Sequence, residues 1–297
     1  MIVYNPRSTR FSEVKEKVIE PARKLKGWMV LKFEVEKADV IKEAERLKKV
    51  LRHDDLVVSA GGDGTATMAM NAILFSGKRA VLATLPFGNF NDFPETLGEV
   101  SFKQAIRKFE TGRFGEFFPM AVFVNGKFFR FAGVYMTAGM MAESTEVFET
   151  DKNRAGLKKA RNRLSFSARK LFGWYLKNKR RRDFLVELKG NEKGEVTDFV
   201  ALNGTSIAGV VPAEGWTERR EEFRVGGMRN RSLFRMVGKF LKSLEGELPG
   251  RDVKEEKLEF LKPATVFLHT EGEGVKLEGV KEVLVKKTGE SLRVIRA

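Results

Sequence analysis

The pattern of apolar and polar residues along the chain changes near residue 118. Before that point, short apolar runs typical of buried strands alternate with segments of helical spacing. The predicted strands are 2–5, 29–37, 55–60 and 79–86, and the predicted helices are 11–28, 38–52, 65–75 and 101–112. Strands that alternate with helices predict a parallel sheet with helices on both faces.

From residue 118 onwards, the pattern predicts antiparallel strands. An Asn-Gly pair at 125–126 separates two β-like runs, which indicates a hairpin, and 183–204 repeats the arrangement around a Gly-rich turn. Residues 263–272 and 281–295 are also predicted as strands. The second part of the chain is therefore expected to be mainly β-structure.

The two patterns predict two domains. Residues 1–117 are expected to form a doubly wound parallel α/β domain. Residues 118–297 are expected to form a mainly antiparallel β-sandwich with a basic helical insertion at 151–183. The last strand or the tail is free to return to the first domain. A chain of 297 residues is long enough for two such cores.

The composition excludes several kinds of chemistry. Cysteine is absent and the only histidines are His53 and His269, so disulfides, thiol catalysis and zinc bound by Cys or His clusters are not expected. The longest apolar run, 131–142, ends at Glu143 and is shorter than the ~18 residues of a membrane span. The first residues lack the pattern of a signal peptide. We therefore expect a cytosolic protein.

The basic charge balance favours anionic partners. The formal net charge is +15, which suits nucleic acid, acidic lipid surfaces or phosphorylated ligands. Residues 151–183 hold thirteen Lys or Arg against two Asp, interleaved with apolar residues such as Trp174. Such a segment is typical of helices that bind anionic membrane surfaces. The alternative is a helix that packs its apolar face on the second domain. No DNA- or RNA-binding motif is present, so nucleic acid is not an expected partner.

One glycine-rich stretch, SAGGDGTAT at 59–67, follows a predicted strand and opens a predicted helix. Gly61, Gly62 and Gly64 would let the backbone adopt positive φ and let a bulky anion come close. The helix from Thr65 would direct its N-terminal amides and the positive end of its dipole at the same place. We interpret the stretch as a phosphate-binding loop; the alternative is a glycine-rich turn. It has neither the Gly-Lys-Ser/Thr of a Walker A loop nor the position of a dehydrogenase fingerprint.

A second unusual loop, FGNFNDF at 87–93, follows the next predicted strand. Ligands of parallel sheets bind beyond the carboxyl ends of the strands, so we expect the two loops to lie near each other. Asp63 would face a phosphate only through a metal ion or a hydroxyl group. A metal held by oxygen ligands suits Mg²⁺, and we expect Asp63 to bind it.

These motifs resemble those of the diacylglycerol kinase catalytic domain, which is shared by bacterial diacylglycerol kinases, YegS-like lipid kinases and sphingosine kinases, within the NAD kinase/diacylglycerol kinase superfamily. GGDGT at 61–65 matches the glycine loop of the family. The family motif LPxGTxNDF is matched at Pro86, Gly88, Asn91, Asp92 and Phe93, with Asn89 in place of the threonine. The family motif NPxSG is matched at Asn5, Pro6 and Ser8, with Thr9 in place of the glycine.

The resemblance implies a lipid kinase that uses ATP and Mg²⁺. In this family, the N-terminal domain binds ATP, the second domain helps to form the lipid site, and catalysis takes place in the cleft between them. Asp92 is expected to hold the second loop in place. The residues expected at the nucleotide phosphates are Asn5, Ser8, Gly61, Gly62, Asp63, Gly64, Thr65, Gly88, Asn89 and Asn91.

The family also carries an acidic DGE motif near its C-terminus, and HTEGEG at 269–274 is the best match. The resemblance makes Glu271 the acidic catalytic residue beside Asp63, and Glu273 the counterpart of the motif's glutamate. The alternative for Glu271 is a solvent-facing position at a hairpin turn.

A further family motif, DGxLD, is associated with Mg²⁺ in some bacterial members. The corresponding stretch here, ERREEFRVGG at 218–227, does not match it, and Glu221 or Glu222 are the remaining candidates for the same role.

The first expectation for function is a kinase that transfers the γ-phosphate of ATP to a hydroxyl of a diacylglycerol-like or related lipid. A NAD kinase-like small-molecule kinase is the near alternative, although the second loop fits the lipid kinases better. A catalytically inactive relative that binds lipid or nucleotide is the other alternative, because Thr9, Asn89 and 218–224 depart from the family motifs. We expect a cytoplasmic protein that associates peripherally with membranes, and the sequence leaves a homodimer open.

Overall fold

A computed structural model of the protein describes most of the first domain and most of the strands of the second. The described residues are 1–6, 8, 10–32, 40–88, 90–139, 198–207, 218–228, 250–271 and 273–297, with short pieces at 142–143, 147, 153, 156, 165–166, 169–170, 172–174, 186–189, 195–196 and 211–212. Most of the basic segment predicted at 151–183 lies outside the described residues, and the described pieces within it are helical. Asn89 and Thr9 also lie outside them.

Six helices have both ends within the described part of the chain, and the short described pieces at 142–143 and between 147 and 174 are also helical. The six are α1 (Phe11–Val14), α2 (Glu20–Arg23), α3 (Val40–Val50), α4 (Asp63–Ser76), α5 (Asp92–Leu97) and α6 (Phe102–Glu110), and a π-helical turn, Lys15–Ile19, joins α1 to α2. None of the helices in these described ranges is both long and apolar enough to cross a membrane.

The helices differ from the predictions at two functionally relevant places. Helix α4 begins at Asp63, two residues before the predicted start, so Asp63 and Gly64 belong to the first helical turn. Helix α5 has no counterpart among the predicted helices and begins at Asp92, directly after the second loop. Both differences place an aspartate at the start of a helix, at the carboxyl edge of the parallel strands.

The strands are β1 (Ile2–Tyr4), β2 (Val30–Lys32), β3 (Leu56–Gly61), β4 (Val81–Pro86), β5 (Gly115–Phe117), β6 (Met120–Val124), β7 (Lys127–Ala132), β8 (Tyr135–Gly139), β9 (Val186–Lys189), β10 (Glu195–Val196), β11 (Asp198–Leu202), β12 (Ser206–Ile207), β13 (Val211–Pro212), β14 (Phe223–Met228), β15 (Arg251–Val253), β16 (Glu255–Thr270), β17 (Glu273–Lys287) and β18 (Leu292–Val294).

Six strands form the first sheet, in the order β2-β1-β3-β4-β18-β5. Strands β1 to β4 and β18 run parallel to one another, and only β5 runs antiparallel, against β18. The chain therefore returns to the first sheet after the second domain, and β18 inserts between β4 and β5.

Ten strands of the described ranges form the second sheet, and all of their pairs are antiparallel. Their order is β15-β14-β11-β8-β16-β17-β6-β7, with β9 paired to β16 and β10 to β9. The hairpin predicted at 125–126 joins β6 to β7, with positive φ at Asn125 (49°) and Gly126 (74°), as a type I′ turn requires. The predicted fold class, a parallel α/β domain followed by a mainly antiparallel β domain, is confirmed.

The two domains share one apolar core. One face of the first sheet packs on α1, α2 and α6. The other face packs on α3 and α4, and this cluster continues into the second domain through Phe131, Val134 and Leu202. A separate cluster, which includes Phe199 and Phe223, lies within the antiparallel sheet. Because the cluster around α3 and α4 is common to both domains, the side chains along their junction are held in fixed positions.

The chain crosses twice between the domains, and one lysine ties the crossings together. Lys287 donates from Nζ to the carbonyl oxygen of Phe118, at 2.5 Å, and to Oδ1 of Asn203, at 2.6 Å. Asn203 in turn donates to the carbonyl oxygen of Gly133 at 2.6 Å. Burial lowers the pKa of Lys287 to about 8, against the opposing charge of Glu218. These bonds tie the end of β17 to the segment after β5 and to the segment after β11.

Candidate active site at the junction of the two domains

The two glycine loops are in contact at the carboxyl edge of the first sheet. A Cβ atom on Gly88 would lie 2.5 Å from the Cα atom of Gly62, a distance that no side chain tolerates. The amide of Phe87 also donates to the carbonyl oxygen of Gly61 at 3.2 Å. The expectation that the two loops lie near each other is confirmed.

The expectation that the first loop uses positive φ is wrong. None of Gly61, Gly62 and Gly64 has a positive φ, and Gly62 has a φ of −90° with an extended ψ of −175°. What favours glycine at position 62 is the close approach of Gly88, since a Cβ atom there would lie 3.2 Å from the Cα atom of Gly88. The requirement is stricter at Gly88, where the corresponding distance is 2.5 Å.

The second loop is held by side chains that the motifs single out. The amide of Gly88 donates to Oδ1 of Asn91 at 2.9 Å, which closes the loop on itself. Ser8 donates from Oγ to the carbonyl oxygen of Phe87 at 2.6 Å, and its own amide donates to the carbonyl oxygen of Asn5 at 3.0 Å. The structure thus brings Asn5, Ser8, Gly88 and Asn91 to one edge, next to Gly61–Thr65. Asn89 lies outside the described residues.

Asp63 points into the domain junction and is almost fully buried. Its Oδ1 accepts a hydrogen bond of 3.0 Å from the backbone amide of Phe93, in the first turn of α5. Burial raises the pKa of Asp63 well above its usual range, and the negative charges of Asp92 and Glu271 raise it further. Asp63 is thus one member of a group of three buried carboxyls, Asp63, Asp92 and Glu271, which we call the acidic cluster.

Asp92 joins the acidic cluster to the second domain. It is fully buried, and its Oδ1 accepts a hydrogen bond from Oγ of Ser206. Since Asp92 is the first residue of α5 and Ser206 begins β12, this contact crosses between the domains. Asp92 therefore anchors the start of α5 to the second domain, and its charge also acts on Asp63.

Glu271 is the contribution of the second domain to the acidic cluster. It lies in the turn between β16 and β17, yet it has no exposed surface. Its Oε1 accepts hydrogen bonds from the backbone amides of Val134 and Tyr135, the latter at 2.8 Å, and its Oε2 accepts one from Oγ1 of Thr67 at 3.1 Å. All three donors are uncharged. Burial raises the pKa of Glu271 to about 7, and the negative charge of Asp92 adds to the effect.

Helix α4 presents a stripe of residues, four apart, to the second domain. Asp63 begins the stripe, Thr67 bonds Glu271, and Asn71 donates to the carbonyl oxygen of Phe131 (3.0 Å) and accepts from its amide (2.9 Å). The ring of Phe75 ends the stripe, 6.2 Å from that of Phe131. Residues four apart share a helix face, so the helix that opens at the glycine loop also aligns the second domain.

Glu273 has a different environment from Glu271, although only one residue separates them. Its carboxylate forms a buried ion pair with Nη1 of Arg130, and its Oε1 accepts a hydrogen bond of 3.1 Å from the amide of Val40, at the start of α3. The same Nη1 of Arg130 donates to Oγ1 of Thr270, which lies just before the turn, at 3.3 Å. Glu273 is therefore a structural partner of Arg130 rather than a member of the acidic cluster.

Glu221 and Glu222 lie in separate ion pairs at the surface. Glu221 pairs with Lys254 at 2.8 Å, with both side chains mostly exposed, and Glu222 pairs with the exposed Arg219 at 3.3 Å. The two candidates for the missing DGxLD motif are thus surface ion pairs. Within the described ranges, no group of three or more His, Asp or Glu side chains has the arrangement needed to hold a metal ion by itself.

Comparison with known proteins agrees with the sequence motifs. Residues 1–118 match the family model of the diacylglycerol kinase catalytic domain. A diacylglycerol kinase of Staphylococcus aureus is 33% identical over 99 residues, which cover 32% of this chain and 30% of that protein. A Staphylococcus haemolyticus protein with the provisional name of lipid kinase is 27% identical over 176 residues, covering 58% of this chain and 53% of its own length. The chain thus spans about half or less of these relatives.

Solved structures match over the whole chain. A diacylglycerol kinase from Bacillus anthracis str. Sterne superposes with a TM-score of 0.64 at 18% identity, covering 100% of this chain and 96% of that one. A second structure from the same organism, provisionally named as the same enzyme, gives a TM-score of 0.66 at 19% identity, with the same coverage. At this identity the likeness concerns the fold, which the two chains share across both domains.

The region matched by the family model contains both glycine loops, Asp63 and Asp92, whereas Glu271 lies beyond it. The motifs at 5–8, 61–65 and 86–93 all lie within the matched region. Residues 1–118 of this chain therefore match the diacylglycerol kinase catalytic domain, both in the family model and in the sequence motifs.

Proposed function

We propose that the protein is an ATP-dependent lipid kinase that transfers a γ-phosphate to the hydroxyl group of a diacylglycerol-like or related lipid. One observation carries the proposal: Asp63, from the domain that matches the family, and Glu271, from the second domain, converge with Asp92 in one buried acidic cluster. Buried carboxyls with raised pKa values at a domain junction are characteristic of catalytic sites.

Glu271 is the proposed general base. Phosphoryl transfer requires a group that accepts the proton of the attacking hydroxyl. A base works best when its pKa is near the working pH, and the pKa of Glu271 is raised to about 7 by burial. The backbone amides of Val134 and Tyr135 fix the direction of its carboxylate, so the acceptor hydroxyl would meet a base that is already oriented.

The glycine loops are the proposed site of the nucleotide phosphates. Helix α4, which is 14 residues long, begins at the first loop. Its cap residue, Gly62, has no side chain that could bond the amides of the first turn. A helix start of this kind binds anions through its backbone amides and its dipole. Ser8, Asn5, Gly88 and Asn91, at the same edge, would complete the phosphate site.

Mg²⁺ fits the acidic cluster as a partner of the nucleotide. The ion usually binds to one or two carboxylates and completes its shell with water and substrate phosphates, so the lack of a full cage among the described residues agrees with this mode. Asp63 is the proposed ligand. When bound, the ion would neutralise phosphate charge. Oxygen donors that are buried together also need a cation to ionise together, which the raised pKa of Asp63 reflects.

The lipid acceptor implies a membrane surface as partner. The basic segment 151–183 remains the proposed contact with anionic lipid, on the strength of its composition. The sequence predicts that the protein is cytoplasmic and associates peripherally with membranes, and it leaves a homodimer open.

The test is transfer of labelled γ-phosphate from ATP and Mg²⁺ to diacylglycerol, a sphingoid base, a lipid extract of the host and NAD. We expect a labelled lipid with the wild-type protein and none with Asp63→Ala. Labelled NADP would instead identify a NAD kinase-like enzyme. Binding of ATP without transfer to any acceptor would favour a non-catalytic relative.

A further inference from the structure

The side chain of Arg130 bonds the residues on both sides of the turn that carries Glu271. Thr270 and Glu273 are the paired residues that flank this two-residue turn between β16 and β17. Arg130 bonds both: its Nη1 donates to Oγ1 of Thr270 at 3.3 Å and forms the ion pair with Glu273. Because one nitrogen bonds the residues before and after the turn, the backbone that carries Glu271 is fixed from both ends.

The side chains that make these contacts are buried. Arg130 has an exposed fraction of 3%, Thr270 of 2% and Glu273 of 6%, and the guanidinium of Arg130 lies 4.4 Å from the ring centre of Phe129. A buried ion pair adds little stability compared with apolar residues of the same volume, and its best-attested role is to specify one arrangement. The pair is therefore better explained by the geometry it imposes than by the stability it supplies.

The same contacts reach the first domain and the other side of Glu271. Glu273 accepts the amide of Val40, so the start of α3 is tied to the turn. Arg130 lies on β7, four residues before Val134, whose amide is one of the two that bond the carboxylate of Glu271. The turn and the amides that orient its glutamate are thus connected through Arg130.

We propose that Arg130 is a positioning residue that fixes the turn so that the carboxylate of Glu271 faces Asp63 and Asp92. The catalytic part of this inference rests on the proposed function, in which Glu271 accepts the proton of the lipid hydroxyl. The geometric part does not, because the amides of Val134 and Tyr135 report the place of the carboxylate whether or not the protein turns over.

The experiment compares four proteins: wild type, Arg130→Lys, the double variant Arg130→Met/Glu273→Leu, and Arg251→Met/Glu256→Leu as a matched control that also removes both charges. Arg251, on β15, forms an Arg–Glu pair at 2.5 Å with the buried Glu256, which lies on the same long strand as Thr270, β16, but near its other end. The double variant removes both charges, so no unpaired charge remains to unfold the protein. For each protein, kcat, the KM for ATP, the melting temperature and amide hydrogen exchange are measured.

We expect the double variant to melt near the wild-type temperature while its kcat falls about 100-fold, the usual cost of a misplaced catalytic group. Its KM for ATP should change by less than about threefold, since the glycine loops are untouched. Arg130→Lys keeps the charge but not the planar fork, and should retain an intermediate kcat. Exchange should accelerate at the amides of Val134 and Tyr135, but not at the amide of Phe131, which bonds Asn71.

Two results would overturn the proposal. One is a double variant with kcat within twofold of wild type and unchanged exchange at Val134 and Tyr135. The other is an equal fall of kcat in Arg251→Met/Glu256→Leu, which would make the effect a general loss of structure. If the wild type transfers phosphate to no acceptor, the proposed function fails, but the exchange rates still decide whether Arg130 positions Glu271.

Discussion

Two buried clusters adjoin the turn between β16 and β17. In one, carboxyl groups lie together, and in the other a carboxylate is paired with an arginine. The acidic cluster gathers Asp63, Asp92 and Glu271, and the donors to Glu271 are all uncharged. The second cluster pairs Glu273 with Arg130. Glu271 and Glu273 are separated by one residue and are both buried. What differs between them is the set of groups that bond each carboxylate: uncharged donors for Glu271 and the Arg130 cation for Glu273.

This difference indicates that the protein loses stability at the acidic cluster rather than at the ion pair. A carboxylate that is removed from water without a cation is costly, and its pKa rises as the protein favours the neutral form. A carboxylate paired with a buried guanidinium avoids most of that cost, as long as both partners remain. The acidic cluster is the one that a reaction can use, because a base with a pKa near neutrality both binds and releases a proton at physiological pH.

The largest expected effect is on activity, from the acidic cluster. Asp63→Asn should lower kcat for phosphate transfer at least about 1000-fold, because it removes the proposed ligand of the cation that neutralises the transferring phosphate. The hydrogen bond from the amide of Phe93 should persist, since the new Oδ1 still accepts it. Steady-state kinetics measure the loss, and an unchanged circular dichroism spectrum is the control. An active Asp63→Asn protein would remove Asp63 from the chemistry.

The next largest effect is on stability, from the ion pair of Glu273 with Arg130. Glu273→Gln should destabilise the protein by about 3 kcal/mol, because it leaves the charge of Arg130 buried without its counterion. Urea unfolding followed by tryptophan fluorescence measures the change. A loss below about 1 kcal/mol would mean that water or another group compensates Arg130, and the contrast between the two clusters would disappear.

The same substitution in the acidic cluster should have the opposite sign. The pKa of Glu271 is raised from its usual 4.5 to about 7, so its contribution favours folding below about pH 4.5 and is lost as the pH rises through about 7. Glu271→Gln removes the ionised form and should stabilise the protein by roughly 2 kcal/mol at pH 8. The gain should shrink towards zero near pH 4.5, which urea unfolding at the two pH values measures. A destabilised Glu271→Gln protein at pH 8 would contradict the assigned burial of a carboxylate without a cation.

The smallest effect is the pH dependence of turnover. If ionised Glu271 accepts the proton, kcat should fall about tenfold per pH unit below about pH 7 and level off above it. His269 does not explain such a limb, since burial and the charge of Arg130 lower its pKa to about 4. A profile that is flat from pH 5.5 to 8.5 would exclude Glu271 as the base.

Local sequence signals were sufficient for the elements that local forces determine. The alternation of apolar strands with helical segments predicts the parallel sheet, and the Asn-Gly pair predicts the hairpin between β6 and β7. The contact between the two glycine loops follows from the position of each loop at a strand end. The positive φ expected in the first loop is wrong because the need for glycine comes from Gly88, which is distant in sequence.

The parts that the sequence did not specify depend on contacts between the domains. A glutamate in a hairpin turn is ordinarily exposed, and only the position of α4 shows that Glu271 is buried against Thr67. Thr67 and Asn71 were hidden in a helix that is otherwise apolar, although their spacing of four residues was a usable signal. Arg130 gave no motif at all, because its partners lie 140 and 143 residues further along the chain.

The most direct measurement is kcat of Glu271→Gln for transfer of the γ-phosphate of ATP to diacylglycerol at pH 8, with Glu273→Asp as the matched control that keeps the ion pair. We predict that Glu271→Gln loses at least about 100-fold in kcat while melting at or above the wild-type temperature, and that the control stays within about tenfold of wild type. A Glu271→Gln protein with wild-type kcat would show that the acidic cluster does not supply the base and would contradict the central claim.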